Sequence, residues 1–178
     1  MRSDADNLKY PIGKFQVSPY SGEQRKICLN DIKHLPSQLE YAILNLDEAQ
    51  LEMPYREGGW SIRQLVHHVA DSHINALCRL KLVLTEDNPA IRPYDQERWA
   101  LTAEYSDLPV NMSLTLLHAL HAKLHCLFAA VEEDQWERTY YHPETKQQYT
   151  LWYLLGNYAW HGKHHVAHIN GWRERMGW

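Results

Sequence analysis

Apolar residues recur at helical spacing over four long stretches of the chain. After Ser61, leucine and valine return every three or four residues as far as Leu84, which predicts a helix over about residues 61–87. Patterns of the same kind predict three further long helices, over about residues 21–46, 109–131 and 150–176.

Local signals mark where these helices begin, break and end. Ser21 and Ser61 are each followed three residues later by glutamine, an arrangement typical of a capping box. Thr150 can cap the last helix, and Gly177 ends it. Because proline costs about 3 kcal/mol in a helix interior, the first helix is expected to break at Leu35-Pro36.

Proline and glycine indicate the connections. Residues 1–20 contain two prolines and a glycine, and they are predicted to form an extended N-terminal arm. A short turn is expected at 47–52, a short helix at 94–104 inside a long link, and a loop at 140–148. No segment shows the alternation typical of a strand.

Four long helices with a long link between the second and third predict an all-α fold. The expected architecture is a four-helix bundle with a crossover connection, rather than a simple up-and-down ring. The length of 178 residues, with 44% hydrophobic and 22% charged residues, suits a single domain over residues 1–178.

Composition argues against several classes of partner. The chain has 18 basic and 22 acidic residues and no long basic run, so nucleic acid is not expected as a partner. The first residues lack an apolar signal segment and no long apolar run follows, which predicts a cytoplasmic protein without a membrane partner. Cys28, Cys78 and Cys126 are odd in number and widely spaced, so we expect buried thiols in a reducing compartment.

The chain contains 12 histidines, and two of them share one face of the last helix. His161 and His165 are four residues apart, so their rings lie one turn above the other and can bind the same metal ion. The alternative is a pair of buried histidines bonded to backbone or tyrosine hydroxyls, and the residues alone leave both open. They also do not decide whether His68 or His73, both on the second long helix, is the third ligand.

Several motifs resemble those of the DinB-like metalloproteins. The family pattern is a histidine eight residues after a tryptophan, followed by two histidines four apart on the last long helix, which implies His68, His161 and His165 as the ligands. The resemblance extends to the YfiT branch of the family over nearly the whole chain. The segments that carry it include Trp60-Ser-Ile-Arg-Gln-Leu-Val-His-His68, His161-Gly-Lys-His-His165, Tyr10-Pro-Ile-Gly13, Pro54-Tyr-Arg-Glu-Gly-Gly-Trp60, Pro89-Ala-Ile-Arg-Pro-Tyr-Asp95, Tyr141-His-Pro143 and Arg-Met-Gly-Trp178.

The resemblance implies a crossover four-helix bundle, often a homodimer, and a metal-dependent hydrolase or thiol S-transferase. Three imidazoles leave one position of a tetrahedral ion open, as in catalytic zinc sites. Zn²⁺ is the expected ion and Ni²⁺ the alternative, one per chain, with a small molecule as substrate. Hydrolysis by an activated water is the first hypothesis. Transfer of a low-molecular-weight thiol to an electrophile, or metal binding without catalysis, are the alternatives.

The residues do not decide which group acts as the general base. The segment His161-Gly-Lys-His-His165 has the zincin spacing, but Gly162 stands where those proteases carry a glutamate, so peptidase activity by that route is not expected. The candidates for proton transfer are Asp71, His164 and His73, and those for binding an anionic substrate are Arg92 and Tyr94. His118, His121 and His125 are assigned to core and surface.

Overall fold

The computed structural model describes residues 4–178, with side chains from residue 6, and the start of the predicted arm at residues 1–3 lies outside that range. A short 3-10 helix covers Glu133–Glu137. The helices are α1 (Asp4–Lys9), α2 (Gly22–Ala42), α3 (Glu48–Leu51), α4 (Ile62–Thr85), α5 (Gln96–Trp99), α6 (Glu104–Asp107), α7 (Val110–Ala129) and α8 (Leu151–Met176), and the strands are β1 (Thr139–His142) and β2 (Gln147–Thr150).

The four long helices form a bundle around one apolar core. Helix α2 packs against α7 and α8, and α4 packs against the same two helices. The consecutive helices α2 and α4 therefore lie across a diagonal, as do α7 and α8, which an up-and-down ring does not allow. The predicted all-α bundle with a crossover topology is confirmed.

The apolar stripes of these helices meet in the centre. Leucines such as Leu65, Leu117 and Leu154 are fully buried there. Removing apolar surface from water, worth about 25 cal/mol per Å², is the main favourable term for such a core. No helix in the described residues has the length and apolar character that a membrane crossing needs.

The predicted helix ends are confirmed where capping side chains define them. Ser21, Ser61 and Thr150 each accept a hydrogen bond from a backbone N–H three residues further on. Gly177 ends α8 with a φ of 74°, a left-handed conformation that glycine adopts without strain.

The predicted break at Leu35-Pro36 is wrong, because α2 runs through Pro36 without interruption. Proline has no N–H, so the carbonyl of Ile32, four residues earlier, loses its partner within the helix. The ring Nδ1 of His121, on α7, instead lies within hydrogen-bond distance of that carbonyl oxygen and donates to it. A neighbouring helix thus repairs the gap in α2, which is why the helix can continue.

The predictions for several connections also need correction. The arm is not extended throughout, since residues 4–9 form α1, and the short helix expected at 94–104 is divided between α5 and α6. The stretch 140–148, predicted as a loop without strands, forms an antiparallel hairpin with Thr139 paired to Thr150. Its tyrosines and threonines favour strands, and the four-residue length hid the pattern.

The cysteines are free, and only one of them fits its prediction. Cys28 is buried, as expected. Cys78 and Cys126 are exposed, because each lies on the outward side of its helix.

The bond between His121 and the Ile32 carbonyl predicts a coupling with Pro36. His121→Leu leaves a buried carbonyl unpaired, so we expect a loss of about 1–3 kcal/mol in the free energy of unfolding. In a Pro36→Ala background the restored N–H of residue 36 bonds to the Ile32 carbonyl. His121→Leu is then expected to lower the free energy of unfolding by about 1 kcal/mol less than in the wild type, or by a still smaller amount. Urea unfolding of the four proteins measures the coupling. His118→Leu, at an exposed position on the same helix, serves as the uncoupled control, and equal costs of His121→Leu in both backgrounds would refute the repair.

Candidate metal centre

Three histidine rings from two packed helices converge on one point. His68 lies on α4, and His161 and His165 lie one turn apart on α8. The Nε2 atom of His161 is 3.3 Å from Nε2 of His68 and 3.1 Å from Nε2 of His165. One ring nitrogen from each of the three lies within 4.8 Å of the others. We call these residues the His triad.

Hydrogen bonds among the rings do not account for this geometry. An imidazole nitrogen carries either one proton or one lone pair, so Nε2 of His161 cannot bond well to two other rings at once. A tetrahedral zinc ion with Zn–N distances of about 2.0–2.1 Å would separate its nitrogens by about 3.3–3.4 Å. The His triad therefore fits a single divalent ion.

Burial keeps the His triad neutral, which leaves its lone pairs free. Removal from water lowers the pKa of His68 to about 4. Burial, reinforced by the neighbouring imidazoles, lowers the pKa of His161 and that of His165 well below the usual value. A metal ion at neutral pH thus does not have to displace protons from these rings.

His73 lies behind the His triad and supports it. It is fully buried, and its Nε2 is 3.2 Å from Nδ1 of His161. If Nδ1 of His161 donates its proton to His73, Nε2 is left free to bind an ion, as is usual for metal-binding histidines. On its other side His73 stacks against His121, with ring centroids 4.8 Å apart. His121, assigned to the core from sequence, therefore also touches this supporting layer.

Two clefts meet at the exposed side of the His triad. The smaller has a volume of about 420 Å³ and the larger about 950 Å³, and His161 lines both. Gln96 and Glu97, from α5 in the long link, also line both clefts. The indole N–H of Trp60 donates to the Glu97 carboxylate over 3.1 Å, and the Trp60 ring packs 4.5 Å from the ring of His68. A small molecule can therefore reach the His triad.

The structure separates the three candidates for proton transfer. Asp71 accepts a hydrogen bond of 2.8 Å from the Tyr105 hydroxyl and lines neither of the two clefts, and burial raises its pKa. His164 lines the smaller cleft, stacked 4.4 Å from Trp160, and burial lowers its pKa to about 3. His73 is closed off from both clefts.

The two candidates for anion binding also differ. Tyr94 lines the larger cleft, whereas Arg92 is exposed and lines neither of the two clefts. The arginine that does line the larger cleft is Arg79, which sequence reasoning missed. A signal was present, because eleven residues at 100° each bring Arg79 back within 20° of the direction of His68 on the same helix. Glu97 was missed as well, and nothing in its local sequence marks it.

Gly162 explains the absence of a protease-type glutamate. A Cβ atom at this position would come within 2.5 Å of Cδ2 of Leu35 on α2, so the Leu35 side chain fills the space beside Gly162. A glutamate at this position would point into α2 and away from the clefts. The expectation that the zincin route is closed thus has a steric reason.

Comparison with known proteins places the chain in one family. A sequence profile of the DinB superfamily matches residues 32–169. A protein of Bacillus cereus, named as a candidate metal-dependent hydrolase, is 46% identical over 174 residues, covering 97% of this chain and 99% of that protein. A similarly named protein of Bacillus anthracis is 45% identical with the same coverage.

A solved structure shows the same architecture. YfiT from Bacillus subtilis, described as a candidate metal-dependent hydrolase with an unusual four-helix bundle topology, has a TM-score of 0.94 and 43% sequence identity. The match covers 97% of this chain and 99% of that one.

The buried imidazoles predict that the metal-free protein loses stability in acid. His68 and His121 have pKa values of about 4 when folded, below the ordinary 6.5. Between these values the unfolded chain binds protons that the folded chain does not, so stability is fully present above pH 6.5 and falls toward pH 4. At pH 5, proton binding to each of these two residues in the unfolded chain lowers the free energy of unfolding by roughly 2 kcal/mol.

Urea unfolding with a chelator at pH 7, 6 and 5 measures this dependence. His121→Leu should reduce the drop in unfolding free energy between pH 7 and pH 5 by the contribution of His121, roughly 2 kcal/mol. An unfolding free energy that is the same at pH 5 and pH 7 would contradict the prediction.

Proposed function

The chain belongs to the DinB superfamily, and from this premise we propose that it is a metal-dependent hydrolase of a small-molecule substrate, with the His triad holding one divalent ion. The observation that carries the proposal is the convergence of the three Nε2 atoms at the meeting point of two clefts. The names of its relatives agree with it.

The donor set agrees with catalytic use. Three neutral imidazoles suit Zn²⁺ first, with Ni²⁺ as the alternative. When bound, such an ion supplies Lewis-acid chemistry, lowering the pKa of a water so that it can act as a nucleophile at neutral pH. All three residues of the His triad line the smaller cleft and His161 also lines the larger one, which favours turnover over storage of a metal in a closed site.

The surrounding residues hold the His triad in its orientation. Nε2 of His73 accepts a hydrogen bond from the Nδ1–H group of His161 and so fixes the tautomer whose Nε2 lone pair is available for the ion. Trp60 covers the ring of His68 and prevents it from turning toward solvent. Both residues act through the ligands and are positioning residues.

We assign Glu97 as the proton acceptor of the reaction. Among the described residues it is the acidic one that lines both clefts, and its carboxylate accepts a hydrogen bond from the Trp60 indole. Asp71 is turned toward Tyr105, and His73 is shut away from the clefts, so neither reaches a molecule bound there. Taking a proton from the attacking water is the role of a general base.

Metal analysis tests the His triad. We expect about one zinc or nickel ion per chain after purification, and loss of the ion when all three residues are changed to alanine, because the ligand set is gone. His73→Leu should weaken metal affinity by about 10–100-fold through the lost support of His161. Elemental analysis by mass spectrometry gives the metal content. His118→Ala, which changes an exposed histidine, should retain the ion, and a triple variant with unchanged metal content would refute the site.

Substrate assays test the reaction and the role of Glu97. The metal-loaded protein is screened with activated esters and amides, and in parallel with low-molecular-weight thiols and an electrophile. We expect hydrolysis, and Glu97→Gln should lower kcat by about 10²–10⁴-fold with metal content unchanged. Glu144→Gln, which changes a carboxylate that lines the larger cleft but not the smaller one, is the matched control.

Two outcomes would contradict these assignments. Thiol transfer without hydrolysis would replace the hydrolase by a thiol S-transferase that uses the same ion. Full activity of Glu97→Gln would remove Glu97 as the proton acceptor.

A further inference from the structure

Arg79 is a half-buried arginine in the wall of the larger cleft. It lies near the C-terminal part of α4, and its Nη1 donates a 3.0 Å hydrogen bond to the hydroxyl of Tyr158 on α8. Its Nε is buried without a hydrogen-bond partner in the described part of the chain. A guanidinium has five N–H donors, so the contact with one tyrosine leaves most of its capacity unused.

No carboxylate neutralises this charge within residues 6–178, the part of the chain whose side chains are described. The ion pairs of that range involve Arg63, Arg98, His118 and Lys163 as the cations, and Arg79 is not among them. The acidic residues of the larger cleft are Asp95, Glu97 and Glu144, and each stays beyond ion-pair distance of Arg79. An arginine that is partly removed from water without a carboxylate is unusual unless another anion binds it.

The surroundings of Arg79 suit an oxyanion. Hydroxyl groups of Ser72, Tyr94 and Tyr158 line the same cleft, and each can donate a hydrogen bond. Burial raises the pKa of Tyr94 to about 12, so its hydroxyl keeps its proton at neutral pH. A planar guanidinium with hydroxyl donors beside it matches the two oxygens of a carboxylate or a phosphate.

Arg79 and His161 line the same cleft, and both lie close to Tyr158. The Tyr158 hydroxyl accepts the hydrogen bond from Arg79, and the centroid of the Tyr158 ring is 6.1 Å from that of the His161 ring. One molecule in this cleft, whose volume is about 950 Å³, can therefore contact both Arg79 and the His triad.

We propose that Arg79 binds an oxyanion group of the substrate, a carboxylate or a phosphate, in the larger cleft beside the His triad. This inference rests on the proposed function, since it assigns one end of the substrate to Arg79 and the reacting end to the metal. It also replaces Arg92, the arginine suggested by sequence, because that side chain does not line the cleft.

Anion titration tests the proposal without an activity assay. Inorganic phosphate and succinate are titrated into the metal-loaded protein by calorimetry, in a buffer free of other oxyanions. We expect saturable binding of at least one probe, and the one that binds tells a phosphate from a carboxylate. Arg79→Gln should raise the Kd by about 10–100-fold, the value of one or two hydrogen bonds to a charged group. Arg79→Lys should lose less, because it keeps the charge without the fork, and Arg92→Gln should match the wild type.

A metal-free arm separates this site from the ion itself. Binding that persists after chelation and is weakened by Arg79→Gln supports the proposal, whereas binding lost with the metal and unaffected by Arg79→Gln overturns it. Wild-type protein that binds neither probe also overturns it. Metal content is measured on the same samples. Protein that contains the metal but binds no anion refutes only the role of Arg79. Protein that binds anions but no metal refutes the proposed function.

Discussion

The structure depends on keeping three unprotonated imidazoles largely buried, with their ring nitrogens close to one point. Each ring loses most of its hydration when α4 packs on α8, and this burial lowers the pKa values of the His triad. Rings fully exposed to water would be protonated more readily, and their lone pairs would be hydrated. Removing them from water ties metal affinity to the packing of the two helices, so the fold and the site cannot be optimised separately.

The layer behind the His triad shows how far that coupling extends. Pro36 removes a donor from α2, His121 on α7 supplies one to the free carbonyl, and the other face of His121 stacks on His73. His73 in turn lies against Nδ1 of His161. A backbone irregularity in one helix is thus connected through two imidazoles to a ligand on another. A polar layer of this kind restricts the rings to one arrangement, which an apolar core of the same volume would not do.

Much of this could be predicted from sequence because it depends on short-range periodicity. Helical spacing indicated α4, α7 and α8, Ser61 and Thr150 marked the starts of α4 and α8, and the spacing of His161 and His165 put them on one face. Periodicity could not decide between His68 and His73, because both are buried on α4. Which of the two meets the α8 histidines depends on how the two helices pack. The resemblance to a family supplied that choice. The continuation of α2 through Pro36, and the arrival of Glu97 at the clefts, depend on partners far away in sequence, which no local pattern contains.

The close approach of α2 and α8 at Gly162 has a consequence for where the chemistry can reside. A side chain at position 162, beside the first α8 ligand, would meet Leu35, so α8 offers no proton acceptor at that position. The bundle helices provide Arg79 and Tyr158 to the larger cleft, whereas the long link 86–109 and the hairpin provide Tyr94, Glu97 and His142. Connections tolerate sequence change better than packed helices do. A bundle with this division can therefore keep the His triad and Arg79 fixed while the connections change the rest of the cleft wall.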